Sequence, residues 1–188
     1  MKKIIERILI KIEEDKKKKR GFEIISFEQF EKDANKLFEN KYSEKELKQI
    51  YQNIKIPKRG SKNSAGYDFY SPFDFTLKPD EIKIIPTGIK SYMNEDEFLA
   101  MFVRSSVGFK YNVRLTNQVG IIDSDYYNNE DNQGHIMISF QNHGSKEWDV
   151  KLGEKSSRVA QGVFIKYGIT SDEKDMKKRT GGIGSTNK

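Results

Sequence analysis

The chain has 188 residues, which is enough for one domain of ordinary size with a hydrophobic core. It contains no cysteine, which excludes disulfides, thiolate nucleophiles and cysteine-ligated zinc, and a reducing cytoplasm is the expected compartment. No apolar run reaches the length of a membrane span, and Glu6, Arg7 and Lys11 interrupt the apolar N-terminus, so neither a membrane segment nor a signal peptide is predicted.

The excess positive charge lies in the first third of the chain. The net charge is +6, and residues 1–60 hold 17 Lys and Arg against 11 Asp and Glu, whereas the remainder is balanced. Residues 1–20 end in the basic run from Lys16 to Arg20, which we interpret as a solvated N-terminal extension. Because no aromatic side chains are interleaved with the run, as a single-strand binder needs, no nucleic-acid partner is expected.

A short strand is predicted over residues 22–25, and two helices follow it. Ser26 with Gln29 and Ser43 with Glu46 match the capping-box pattern of helix starts, and Pro57 is expected to end the second helix. The two apolar stripes predict that these helices pack onto the main body, with a partner-binding surface as the alternative. The stripes are Phe27, Phe30, Ala34, Leu37 and Phe38 in the first helix, and Leu47, Ile50, Tyr51 and Ile54 in the second.

From residue 60 onward the pattern is that of a β-protein. Short runs rich in β-branched and aromatic residues alternate with glycine and proline breaks, and there is little room for helices between them. This predicts a mainly β fold, a sandwich or jelly roll, with an additional N-terminal helical segment. The expected strands cover residues 67–70, 82–85, 98–103, 113–116, 135–141 and 158–166.

Two segments combine cations with polar side chains. Arg104, Ser105 and Ser106 follow an apolar strand, where they can either cap a turn or bind an anion. Arg158 and Gln161 lie close together on a predicted strand. Taken alone, this pair is typical of exposed polar side chains with no specific role.

Two further segments suggest a nucleotide and an activated water. In the run from Gly120 to Tyr126, Asp123 and Asp125 are expected to be extended and to share one face, so either serves turn chemistry or one acts as a general base. The glycine-rich tail from Lys178 to Thr186 carries cations and hydroxyls suited to phosphates. His135 and His143 show no metal-ligand spacing.

Taken in order, five segments within about residues 55–188 resemble the five motifs of the trimeric dUTPase family. The resemblance implies roles at the phosphates for motifs one, two and four. Asp68, in the first motif from Ala65 to Phe69, would lie near the water shell of the metal. The phosphate contacts would be Arg104, Ser105 and Ser106 from the second motif, and Arg158 and Gln161 from the fourth.

The third and fifth motifs imply the remaining roles. Asp123 would orient the attacking water, and Tyr126 would pack under the deoxyribose and exclude a 2′-hydroxyl. The base would be held by Asn117, Gly120, Ile122 and Met137, the last on a hairpin whose backbone pairs with uracil. The fifth motif would contribute Arg179, Ile183, Gly184 and Ser185 from an arm that closes over the nucleotide.

The resemblance therefore implies hydrolysis of dUTP to dUMP and pyrophosphate with Mg²⁺, which limits uracil in DNA and supplies dUMP for thymidylate synthesis. It also implies a homotrimer with shared active sites, because motifs spread over 120 residues of a small domain cannot easily meet around one nucleotide. The expected organisation is an N-terminal extension at 1–20, a β-domain at 21–178 with a helical insertion at about 26–56, and a mobile arm at 179–188.

The chain departs from the family pattern in three places within the motifs. Lys178 stands at the usual arginine position of the arm, with Arg179 one place later, so either can meet the γ-phosphate. Ile183 replaces the phenylalanine that stacks on uracil. Residues 127–133 lengthen the turn after Tyr126 by about six residues.

Two alternatives to dUTP hydrolysis stay open from the sequence. A dCTP deaminase shares the fold, but that family has a catalytic glutamate where this chain has Ser139. A dUTP-sensing regulator would bind the nucleotide and act through a protein partner, which the added helices permit.

Overall fold

A computed structural model describes residues 19–172 and Gly181. Within these residues the chain forms three α-helices and twelve β-strands. The helices are α1 (Phe27–Phe38), α2 (Glu44–Gln52) and α3 (Ser105–Tyr111). The strands are β1 (Gly21–Ile24), β2 (Lys58–Arg59), β3 (Tyr67–Tyr70), β4 (Phe75–Leu77), β5 (Ile82–Pro86), β6 (Ile89–Tyr92), β7 (Glu97–Val103), β8 (Val113–Leu115), β9 (Gly120–Asp123), β10 (Met137–Asn142), β11 (Trp148–Val150) and β12 (Arg158–Lys166).

The strands pair antiparallel throughout the described residues, and the predicted mainly β fold is confirmed. A five-stranded sheet has the order β2-β3-β12-β7-β9, a three-stranded sheet has the order β5-β10-β8, and β1-β6 and β11-β4 form two-stranded ribbons. The main core is built from side chains of all these sheets, with Phe69, Phe140 and Trp148 among its largest fully buried members. None of the helices described is long and apolar enough to cross a membrane.

Helices α1 and α2 pack onto this β-body through a second hydrophobic cluster, which confirms the predicted packing. The cluster joins Phe30 and Ala34 of α1 to Leu47 of α2 and to Phe73, which precedes β4. Helix α2 ends at Gln52, where Asn53 caps it by donating from Nδ2 to the Gln49 carbonyl at 2.8 Å. The expectation that Pro57 ends this helix was wrong, because a local cap stops it five residues earlier.

The two predicted capping boxes differ in outcome. Ser43 and Glu46 form the complete box, with the Ser43 N–H donating to Glu46 at 2.8 Å. At α1, the Ser26 hydroxyl accepts from the Gln29 N–H at 3.2 Å, but the reciprocal bond comes from elsewhere. The Ser26 N–H donates to Oε1 of Gln133 at 3.0 Å, 107 residues away. The distant amide replaces Gln29, whose own side chain is drawn to Asp33.

Strand bounds agree closely at β3 and β12 and within two residues at the other predicted strands. The short strands β2, β4, β6 and β11, of two to four residues each, were not predicted. The extended stretch expected through Asp125 was also wrong. Strand β9 stops at Asp123, and residues Ser124–Tyr126 form a 3₁₀ turn that contains Asp125.

Candidate functional site

Three of the sequence-predicted site residues meet at one buried carboxylate. Asp68 lies on β3, next to β12, which carries Arg158, and Arg104 follows the end of β7 on the other side of β12. Oδ1 of Asp68 lies 2.9 Å from Nε of Arg104, and Oδ2 accepts from Arg158 at 3.4 Å. Pairing of β3, β12 and β7 thus brings residues from three motifs into contact.

This arrangement concentrates positive charge on a rigid part of the sheet. The Asp68 side chain is 10% exposed, whereas the Arg104 and Arg158 side chains are 24% and 29% exposed. Each guanidinium has five N–H donors, so a single bond to Asp68 leaves most of the fork available to an anion. The cluster therefore has two cations oriented by one carboxylate, with a net charge that favours phosphate.

Helix α3 places polar and aromatic groups beside this cluster. Ser105 and Ser106 stand in its first turn and are exposed, whereas Val107 anchors the helix in the core. Phe109 lies three and four residues beyond the serines, so the helical period puts it on their face. Its side chain is 94% exposed, which the sequence did not predict.

Gln161 also belongs to this end of the sheet. It pairs with Asp68 of β3 on one side and with Phe102 of β7 on the other. Gly66 allows the amide to approach β3, because a Cβ there would lie 2.6 Å from Oε1 of Gln161.

Five other predicted site residues line a single cleft of about 520 Å³ between β9 and β10. They are Asn117, Gly120, Ile122, Tyr126 and Met137, and the walls are completed mainly by aliphatic side chains of Ile84, Met101, Leu115, Ile121, Ile136 and Ile138. A mostly apolar cleft with a few polar groups is the usual form of a small-molecule site. Gly120 keeps it open, since a Cβ there would lie 3.1 Å from the Met101 Cβ and 3.6 Å from the Asn117 amide nitrogen.

Tyr126 is held rigidly in the wall of this cleft. The residue is 5% exposed, its hydroxyl donates to the His135 carbonyl at 3.0 Å, and it accepts from Nδ2 of Asn132 at 2.8 Å. Asn132 belongs to the lengthened turn and His135 was assigned no role from the sequence. Nothing in the local sequence pattern marks either residue as a partner of Tyr126.

Asp123 stands at the end of β9, paired with Phe98 of β7 and half-buried. It is three residues from Gly120 along an extended strand, which is about 10 Å. Strand β9 thus runs from Gly120, which lines the cleft, to the Asp123 carboxylate. The remaining predicted contacts, Arg179, Ile183, Gly184 and Ser185, lie outside the described residues, as does Lys178.

A second cleft, of about 570 Å³, lies between α2 and the β-body. Its lining includes Tyr42, Ile50, Tyr70 and Leu152, and it contains none of the predicted site residues. Burial, followed by the negative charge of Asp74, raises the pKa of Tyr42 above its ordinary value.

An antiparallel β-fold that carries both a cationic cluster and a mostly apolar cleft is suited to a nucleotide. The dUTPase family model matches residues 52–187. The deoxyuridine 5'-triphosphate nucleotidohydrolase of Lactococcus lactis is 45% identical over 135 residues, which are 71% of this chain and 88% of that protein. The chain therefore belongs to the dUTPase family.

Solved structures agree with this assignment. The crystal structure of dUTPase from Streptococcus mutans aligns with a TM-score of 0.58 and 33% identity, over 80% of this chain and 98% of that one. A mutant dUTPase from phage phi11 of Staphylococcus aureus aligns with a TM-score of 0.54 over 67% of this chain and 92% of that one. At 20% identity it shows the shared fold alone, and that structure is described as revealing the coordination of a structural Mg(II) ion.

Proposed function

We propose that this protein hydrolyses dUTP to dUMP and pyrophosphate. The observation that carries the proposal is the convergence of Asn117, Gly120, Ile122, Tyr126 and Met137 on one cleft, in a chain that also has a separate cluster of phosphate-binding type. Family membership, and the names of the relatives, support the same reaction.

The cleft is suited to a uracil base and a deoxyribose. The Asn117 side chain offers an amide, and the backbone at Met137 offers donors and acceptors. Together they can hydrogen-bond to both the acceptors and the donor on the edge of uracil. Cytosine presents the wrong donor pattern, and the 5-methyl group of thymine requires space that a narrow cleft lacks. Tyr126 cannot retreat to admit a 2′-hydroxyl, because its own hydroxyl is held by two hydrogen bonds.

The triphosphate would lie along the cationic cluster. Arg104 and Arg158 supply forked donors, and Ser105, Ser106 and Gln161 supply neutral ones. Among the described residues, no group of three or more His, Asp or Glu side chains could hold a metal ion. Mg²⁺ does not require such a group, because it keeps several waters and binds through one or two carboxylates together with substrate phosphates. We propose that Asp68 would accept a hydrogen bond from a water bound to Mg²⁺. The ion would neutralise charge that develops on the phosphates.

Asp123 is the proposed general base. It would accept a proton from the water that attacks the α-phosphorus, while pyrophosphate leaves on the opposite side. Positioning by the cleft and the arginines would then supply most of the rate acceleration, as in other phosphoryl transfers. We propose that the chain has a β-domain at 21–178, which includes the helical insertion. Residues 179–188 are proposed as an arm that covers the nucleotide. The proposed compartment is the cytoplasm.

The decisive experiment replaces the base without changing its shape. Asp123→Asn should keep dUTP binding but lower kcat by at least about a hundredfold, since general-base catalysis contributes about 10²–10⁴. Asp125→Asn is the matched control, because it makes the same change two residues away in the 3₁₀ turn. Pyrophosphate release and calorimetric binding of a non-hydrolysable dUTP analogue are measured for both. Turnover within about tenfold of wild type would exclude Asp123 as the base.

We also propose that the enzyme is a homotrimer whose subunits share the sites. Ile121 is 62% exposed and Ile84 is 40% exposed although both line the cleft, and Phe109 is almost fully exposed. Exposed apolar groups around a functional cleft are typical of surfaces covered by another chain. Three chains of 21.9 kDa give about 66 kDa, which light scattering would measure. An active species of single-chain mass would contradict the proposal.

The deaminase alternative finds no support in the cleft. Ser139 of β10 lines it at the position where a catalytic glutamate would be expected, and a hydroxyl cannot replace that acid.

A further inference from the structure

The helical insertion contacts the turn that holds Tyr126. Helix α1 lies before residue 52, where the match to the dUTPase family begins, whereas Tyr126 and its turn lie within the matched region. We propose that Asp33, Gln133 and His135 are positioning residues for Tyr126, through which the insertion sets the selectivity of the site for deoxyribose. This inference rests on the proposed function.

The turn from Tyr127 to Gly134 forms a compact, internally bonded structure. Oδ1 of Asn129 accepts from the N–H groups of Asp131 and Asn132 at 3.1 Å each, and its Nδ2 donates to Asn132 at 2.8 Å. These bonds fix the Asn132 side chain, whose Nδ2 in turn donates to the Tyr126 hydroxyl at 2.8 Å. One of the two bonds to that hydroxyl therefore depends on the shape of the turn.

Ser26, which caps the N-terminus of helix α1, forms hydrogen bonds to the same turn. The Ser26 N–H donates to Oε1 of Gln133 at 3.0 Å, and Nε2 of Gln133 donates back to the Ser26 hydroxyl at 3.1 Å. Gln133 has a positive φ of 59°, a conformation that a non-glycine residue keeps only when its surroundings hold it there. The helix cap and the turn thus stabilise each other.

The second attachment is a buried pair of polar side chains. His135 is fully buried, and its Nε2 accepts from the Gly88 N–H at 2.9 Å, so the ring proton lies on Nδ1. That nitrogen donates to Oδ2 of Asp33 on α1 at 2.6 Å, and Gln29 orients the same oxygen from 2.9 Å. The imidazole is therefore held between the β-body on one side and α1 on the other.

The backbone of His135 carries this constraint into the site. Its carbonyl accepts from the Tyr126 hydroxyl at 3.0 Å, and the next two residues, Ile136 and Met137, line the cleft. One hydrogen bond to the Tyr126 hydroxyl thus comes from His135, which Asp33 of the insertion contacts directly, and the other comes from Asn132, whose neighbour Gln133 is bonded to Ser26. Releasing Asp33 or Gln133 should let the ring shift by the fraction of an ångström that a 2′-hydroxyl requires.

The test compares Asp33→Ala and Gln133→Ala with Ser43→Ala. The Ser43 hydroxyl caps α2 by accepting from the Glu46 N–H at 3.4 Å, so its removal loosens the same insertion at an exposed helix end, away from the groups that hold the Tyr126 turn. The first readout is kcat/KM for dUTP divided by that for UTP. The second is amide hydrogen exchange of residues 126–136, which needs no nucleotide.

We expect both alanine variants to lower the dUTP/UTP ratio by about fivefold, the factor that corresponds to one lost hydrogen bond. The change should appear as a higher KM for dUTP with a nearly unchanged kcat, and exchange in residues 126–136 should quicken. Ser43→Ala should lower the melting temperature and leave both readouts at the wild-type value. Gln133→Ala alters a partly exposed side chain and decides the question even if Asp33→Ala does not fold.

An unchanged ratio in Gln133→Ala, or an equal fall in Ser43→Ala, would overturn the inference. If wild-type protein does not turn over dUTP, the proposed function fails separately. The exchange experiment still decides, in that case, whether the insertion holds the turn.

Discussion

The buried carboxylate between two arginines allows the most direct test of the phosphate cluster. Asp68→Asn keeps the shape of the side chain but removes its charge. An asparagine oxygen can accept from only one of Arg104 and Arg158, and its amide group must then face the other cation. We expect the variant to fold with lower stability and to bind the triphosphate poorly.

The magnitude follows from the burial of the three groups. A hydrogen bond to a charged group contributes about 1.5–3 kcal/mol, and breaking a fully buried ion pair costs about 3–5 kcal/mol. Because the two arginines are about a quarter exposed, water compensates part of the loss, and we expect about 2–3 kcal/mol. At about 2–4 °C per kcal/mol for a chain of this size, the melting temperature should fall by about 5–10 °C.

The kinetic effect should appear in KM through the arginines, and also in kcat through the proposed contact of Asp68 with a water of Mg²⁺. Without Asp68, Arg104 and Arg158 lose the contact that aligns their forks, so ground-state binding of the triphosphate weakens while Asp123 and its water are untouched. We expect KM for dUTP to rise about tenfold or more, which corresponds to about 1.4 kcal/mol of lost binding. Calorimetric melting and initial-rate assays of pyrophosphate release measure both effects.

Asp96→Asn is the matched control. It removes an ion pair with Lys166 of similar length, 2.7 Å, whose side chains are 54% and 69% exposed. That pair lowers the pKa of Asp96, but solvent screens exposed ion pairs, so its loss should leave the melting temperature nearly unchanged. If Asp68→Asn and Asp96→Asn gave the same melting temperature and the same KM, the reasoning from burial would be refuted.

Two further predictions concern the turn after Tyr126. Burial, and then the hydrogen bond to Glu23 at 2.7 Å, raises the pKa of Tyr127 in the folded protein. The protonated hydroxyl therefore stabilises the fold fully at a pH below its pKa in the unfolded chain, about 10. This stabilisation is lost as the pH rises through the pKa of the folded state. Wild type should thus be more stable than Tyr127→Phe at neutral pH and lose this advantage in denaturant titrations at strongly alkaline pH; a constant difference would contradict the assignment. Gly134→Ala should destabilise by about 2 kcal/mol or more, since φ is +81° and the new Cβ would lie 2.7 Å from the Tyr126 carbonyl oxygen. Gly153→Ala, with φ +79° and nothing within 4 Å, should show the backbone strain alone, and equal losses in the two variants would exclude the steric clash.

The sequence by itself determined the features that depend on local pattern. Helix starts were visible in Ser26 and Ser43 because a cap needs a short side chain with an oxygen acceptor at a fixed place. The bounds of β3 and β12 followed from their composition and the breaks around them. The five cleft residues were found through their order along the chain, which a family resemblance preserves; their roles stay predictions.

Only the tertiary structure decided which side chains are partners. Gln133 completes the cap of Ser26 across 107 residues, and Asp33 meets His135 across 102. Arg158 reaches Asp68 across 90 residues because β12 happens to lie beside β3. Local sequence patterns cannot predict such bonds. The pattern within a helix or strand determines which face a residue lies on, but the packing of distant elements determines which group that residue meets.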